Sequence, residues 1–156
     1  MQQVEIFIGT SLRGPAKGTG KSVYIMRSIL PSGKEYEKKP QITQADDATE
    51  SHLVLLAIRD ALQRMNYACE VIIRTECLYV ANAINNHWME AWQETGWKNS
   101  RNEEVKDKDI WLQILMIIED SGHLVRAEHG KHEYSEWMRW NLGIWTSKMG
   151  YFSEPN

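Results

Sequence analysis

The sequence contains no apolar run near the roughly 20 residues that cross a bilayer. Its longest runs, such as Leu53 to Ile58 and Ile114 to Ile118, stop far short, so the chain is expected to be soluble with no membrane partner. It also lacks a basic surplus. Eighteen Lys and Arg against 21 Asp and Glu leave a net charge of −3, so no overall cationic field draws the protein to polyanions, and any nucleic-acid affinity must be local. Cysteine is scarce: Cys69 and Cys77 form neither a C-x-x-C pair nor a disulfide framework. With no secretory signal, this fits reduced thiols and a cytoplasmic setting. Repeats, low-complexity tracts and linkers are absent as well. The 156 residues, 42% of them hydrophobic, are expected to form one domain over 1–150, with a short loosely held tail over 151–156.

What is present is a strand-rich first third followed by alternating strands and helices. Val4 to Ile8 alternates apolar and polar residues, and Lys21 to Leu30 is rich in β-formers. The turn between them carries Gly14, Pro15, Gly18 and Gly20. Although Lys17 and Lys21 suggest a phosphate cradle, the G-x-x-x-x-G-K-[ST] spacing is missing, and a hairpin loop is the expectation. Pro31, Ser32 and Gly33 lead to a third strand near Lys34 to Gln41, completing an antiparallel meander. Asp46, Asp47 and Thr49 are N-cap candidates for a helix in which Leu53, Leu56, Ala57, Ala61, Leu62 and Met65 recur at helical spacing up to Asn66. Glu70 to Thr75 predicts a strand, Leu78 to Asn85 a helix, and Asp109 to Glu119 a further helix stopped by Gly122. Leu124 to Ala127 predicts a last short strand and Glu133 to Met149 the final helix. Between these, Trp88, Trp92 and Trp97 stand beside the charged stretch Ser100 to Lys108, which is expected to protrude.

Specific residues carry a family resemblance. Val4-Glu5-Ile6-Phe7 with Ser11 at the following turn, Cys69 through Val80 with its Thr75-Glu76 and Tyr79-Val80 pairs, and the ungapped set Trp88, Trp92, Gly96-Trp97-Lys98, Val105-Lys106, Asp109 and Trp111 resemble bacterial type 1 ribonuclease H. His129 followed by His132 is similar to that family's histidine loop. The resemblance implies an α/β ribonuclease H-like fold: a mixed five-stranded sheet, three antiparallel meander strands then two parallel strands, flanked by helices and bearing a tryptophan-rich handle.

The resemblance also implies hydrolysis of the RNA strand of RNA–DNA hybrids by two divalent metal ions held by four acids. Tested position by position, this sequence keeps one. Glu76 stands at the fourth-strand position as the retained catalytic acid, whereas Gly9, Leu53 and Arg139 occupy the other three. No metal site and no cofactor are therefore expected. The alternative is a divergent nuclease using magnesium or manganese, with Glu76, Glu50 and Glu136 as relocated ligands and Asp46, Asp47 or Glu133 as further candidates. A one-turn offset of about 5.4 Å along a helix works against such a shift. His129 and His132, with Glu128 or Glu133, have zinc-ligand spacing, but surface histidines are the expected reading.

In the handle the resemblance assigns nucleic-acid contacts to Trp88, Trp92, Lys98 and Asn99. The family's basic cluster is replaced by Gln93-Glu94-Thr95, and Asn102, Glu103 and Glu104 dilute the charge of the loop. Weak hybrid binding follows, because each lost phosphate contact lowers affinity. The tryptophans can equally serve in packing. Three functional expectations result. The first is a catalytically degenerate ribonuclease H-like protein that serves as a weak nucleic-acid (RNA–DNA hybrid) binding or interaction module; the second is the divergent nuclease; the third is a structural domain that docks a protein partner on its acidic handle.

Overall fold

A computed structural model describes residues 1–142. The expected continuation of the last helix to Met149, and the tail, lie outside the described residues. The chain begins with strand β1 (Gln2–Thr10), β2 (Gly18–Ile29), β3 (Glu35–Glu37) and β4 (Gln41–Ala48). Helix α1 (Glu50–Gln63), strand β5 (Cys69–Thr75), helices α2 (Leu78–Asn85), α3 (Trp88–Glu94) and α4 (Lys108–Ser121), strand β6 (Leu124–His129) and helix α5 (Ser135–Asn141) follow.

The sheet runs β3-β2-β1-β5-β6, with β4 also on β2. β1 pairs antiparallel with β2 and parallel with β5, which in turn pairs parallel with β6. The expected mixed α/β sheet is therefore present, with one correction. The predicted third strand is two strands: β3 pairs with Arg27–Ile29 and β4 with Gly18–Tyr24, both on the same edge of β2. Between them stand Lys38, Lys39 and Pro40, and proline has no N–H to give a ladder. Strand pairing then resumes as far as Ala48, well past Gln41. Asp46 and Asp47 consequently lie in β4, and the helix cap is Thr49, whose hydroxyl accepts from the His52 N–H at 3.3 Å.

Central β1 is buried from Val4 to Thr10 because both faces of the sheet are covered. Ile6 and Ile8 share one core with Val54, Ile58 and Leu62 of α1 and with Ile114 and Leu115 of α4. On the opposite face Phe7, Val23 and Ile25 meet Tyr134, Met138 and Leu142. Helix α4 ends as its sequence predicts, at Gly122, which takes a left-handed φ of 74° while its N–H donates to the Ile118 carbonyl.

The second face also carries a charge network. Glu5, 4% exposed, accepts from Arg27 Nε at 3.0 Å and Nη2 at 2.8 Å, and from Arg74 Nε at 2.6 Å. Arg27 continues to Glu133 at 2.8 Å and Arg74 to Glu128 at 2.6 Å. Both guanidinium groups lie over the Phe7 ring. These bonds keep the arginines charged and hold the Glu128 carboxyl below its usual range, through Arg126 first and then Arg74.

Candidate functional site

The carboxyl ends of parallel β1 and β5 lie side by side, and in open α/β sheets ligand sites gather outside such ends. Three elements converge there: the turn after β1, the first turn of α1 and the residue that follows β5. Glu76 is held at the end of β5, where Thr75 Oγ1 accepts from the Cys77 N–H at 3.0 Å. Glu50 opens α1 and accepts from the Gly14 N–H at 3.1 Å. Between the two acids sits Arg13, with Nη2 3.3 Å from Glu76 and Nη1 3.8 Å from Glu50. Sequence reasoning did not single out Arg13, because a lone basic residue in a turn carries no periodic or spacing signal.

The other three positions hold no carboxylate. Gly9 is covered by α5: a Cβ there would lie 2.8 Å from both Cβ and Sδ of Met138. The side chain that faces Gly9 is thus Met138, one residue before Arg139, which is half-buried. Leu53 is fully buried and packs with Leu12 over Gly20, its Cδ1 at 2.8 Å from where a Cβ on Gly20 would stand. Glu136 is exposed, and among the described residues no group of three His, Cys, Asp or Glu side chains is gathered for a metal ion. A thioether, a core leucine and a guanidinium do not fit a pair of magnesium ions, which need several oxygen ligands each.

His129 ends β6 and is exposed, while His132 turns inward. His132 Nδ1 accepts from the Tyr134 N–H at 3.2 Å and Nε2 donates to the Ile8 carbonyl at 2.9 Å. Both ring nitrogens are committed, so His132 has no free nitrogen for zinc. Burial pushes its pKa down, and burial does the same to His123, whose Nδ1 accepts from the Cys69 N–H. The sign follows: the unfolded chain takes up these protons first, so stability is full above the ordinary histidine pKa of about 6.5 and is lost as pH falls below it. The urea midpoint should therefore drop between pH 7.5 and 5.5. An unchanged midpoint would contradict the buried neutral imidazoles.

The handle is an aromatic ladder. Trp92 lies 6.0 Å from Trp88, 6.2 Å from Trp97 and 5.6 Å from Trp111, and Tyr79 lies 5.9 Å from Trp88. Trp97 and Trp111 are buried; Trp88 and Trp92 are partly exposed and pack against the main core. Lys98 is exposed. The Asn99 carboxamide is used by its own loop, accepting from the Arg101 and Glu103 N–H groups. Lys106 reaches Thr49 Oγ1, and Asp107 meets His52 at 2.8 Å, fastening the loop to α1. A cleft of about 740 Å³ opens between handle and acids, lined by Thr49, Glu50, Glu76, Tyr79, Lys106 and Asp107 among others.

A model of the family described as RNase H matches residues 1–131. The chain belongs to the RNase H family. Among curated relatives, a protein named Ribonuclease H from Acetivibrio thermocellus is 34% identical over 140 residues, covering 86% of this chain and 88% of the relative. Another of that name, from Caldicellulosiruptor saccharolyticus, is 30% identical over 119 residues, covering 76% and 77%. The fold agrees with LC9-RNase H1, described as a type 1 RNase H with the type 2 active-site motif, at a TM-score of 0.70 and 15% identity over 99% of this chain and 78% of that one. It also agrees with the foamy viral protease-reverse transcriptase in complex with RNA/DNA hybrid, at a TM-score of 0.61 and 18% identity over 83% of this chain and 17% of that one. In this RNase H-family chain no helix among the described residues is long and apolar enough to cross a membrane.

Proposed function

We propose that this chain is an RNase H-family domain that binds nucleic acid weakly, RNA–DNA hybrid being the first candidate, and does not hydrolyse it. The observation that carries this reading is the methionine over Gly9. The family resemblance places one metal-holding carboxylate on the first strand at Gly9, and the space that the Cβ of such a side chain would take is occupied by Met138. The protein of similar fold solved in complex with RNA/DNA hybrid supports a nucleic-acid partner. Between residues 87 and 108 five acids oppose four bases, which keeps the phosphate attraction small. Partly exposed Trp88 and Trp92, exposed Lys98 and the wall of the cleft would form the contact surface, with base stacking supplying what charge does not. No cofactor is required in this reading, and two buried free thiols suit a reducing cytoplasm.

The names of the relatives favour a second reading, a ribonuclease H that uses magnesium or manganese with Glu76 and relocated acids. One experiment separates the two. Labelled hybrid is titrated with the protein in 50 mM salt, with magnesium, with manganese and with a chelator, and bound and cut fractions are read from the same gel. Metal-independent binding of intact hybrid, weakened by Trp92→Ala with Lys98→Ala, is the expected result. Metal-dependent fragments would establish the second reading, and no binding in any buffer would move the handle to protein docking.

A further inference from the structure

We propose that Arg13 is a resident counter-cation, filling with its guanidinium the position between Glu50 and Glu76 that would otherwise attract a divalent ion. The two carboxylates share one corner, with side chains only 13% and 19% exposed. Two anions so placed repel each other unless a cation stands between them. Arg13 is that cation, and it is built in rather than merely nearby. Its Nη1 donates to the Thr10 carbonyl at 3.0 Å, Thr10 Oγ1 at 2.7 Å and the Leu12 carbonyl at 3.2 Å, while Nη2 donates to Glu76 at 3.3 Å. The next residue fixes Glu50 through the Gly14 N–H. One turn therefore supplies both the positive charge and the backbone donor that hold the two acids.

The turn is anchored in its own right. The Ser11 N–H donates to the Lys21 carbonyl, the Lys21 N–H donates to Ser11 Oγ, and Thr10 Oγ1 donates to the Leu12 carbonyl. The guanidinium is thus presented by a closed hairpin and not by a free arm. A rigid fork with five donors suits this task better than a point charge. A divalent ion reaching Glu50 and Glu76 must displace Arg13 and break these bonds, so the corner stays closed with no metal bound.

The test measures metal binding, not catalysis. Backbone amide NMR signals are followed during titration with manganese, which broadens signals close to it. In the unmodified chain the Ser51 and Cys77 amides should broaden no more than surface amides elsewhere. In Arg13→Gln they should broaden selectively, at about tenfold lower manganese, which corresponds to roughly 1.4 kcal/mol. Adding Glu76→Gln to that variant should abolish the effect, and Arg13→Lys should retain much of the exclusion. Arg13→Met, which keeps part of the stem, gives the same readout if Arg13→Gln weakens the fold. Equal manganese affinity at these amides with and without Arg13 would overturn the proposal, as would the absence of selective broadening in both Arg13→Gln and Arg13→Met. Hybrid binding and cleavage play no part in the readout.

Discussion

Replacing Gly9 by aspartate should destabilise the protein and leave it unable to cut. The new Cβ would stand 2.8 Å from Met138 Cβ, an atom fixed to the α5 backbone that cannot swing aside as the thioether can. Overpacking of this kind costs about 1–3 kcal/mol, and a carboxylate facing sulfur and carbon without a partner adds a desolvation cost. Met138→Ala removes Cγ and Sδ but keeps that Cβ, so only part of the loss should return when it is combined with Gly9→Asp, giving a coupling of about 0.5–3 kcal/mol in a double-mutant cycle. Urea unfolding of the four proteins measures it. If Gly9→Asp were neutral with Met138 in place, α5 would not be seated on β1 as described. Cleavage should stay absent in both variants, because Leu53 remains in the core and Arg13 remains between Glu50 and Glu76.

Glu5→Ala should cost more, about 3–5 kcal/mol, which is the range for removing one member of a buried ion pair. Two arginines depend on this carboxylate, and truncation leaves Arg27 and Arg74 both over the Phe7 ring without the anion they share. Arg27 retains Glu133 and Arg74 retains Glu128, so the chain should still fold, with an unfolding midpoint well below that of the parent. A loss under about 1 kcal/mol, the scale of an exposed pair, would mean that water reaches this network freely.

Much of the fold was legible because hydrophobic spacing reports directly on burial. The stripe from Leu53 to Leu62 gave α1, the β-branched run before Thr75 gave β5, and Gly122 marked the end of α4. The break in the third strand was not legible. β4 lies at the sheet edge and alternates half-exposed and exposed residues from Gln41 to Asp46, so it lacks the apolar pattern by which buried strands are recognised. Asp46 and Asp47 read as helix caps for the same reason.

The site was legible as residue identities and not as contacts. Gly9 and Leu53 carry no carboxylate where the resemblance implies one, and identity at a position is a one-dimensional property. That Met138 faces Gly9 depends on the rotation of a short helix, where one residue of register turns the side chain by about 100°. That Arg13 lies between Glu50 and Glu76 depends on a hairpin meeting a helix start and a strand end. Glu5 read as an ordinary polar position in an alternating strand, and only the register of β1 against β2 and β5 brings Arg27 and Arg74 to it.

The central proposal is that packing and an internal ion pair stand, in this RNase H-family chain, where the resemblance implies metal-holding carboxylates. The most direct measurement is the single-turnover cleavage rate of a labelled RNA–DNA hybrid in magnesium and in manganese, with the Acetivibrio thermocellus relative assayed beside it at equal concentration. The account predicts cutting by the relative alone, with this protein indistinguishable from buffer. Metal-dependent cutting by this chain that disappears in Glu76→Gln would contradict it.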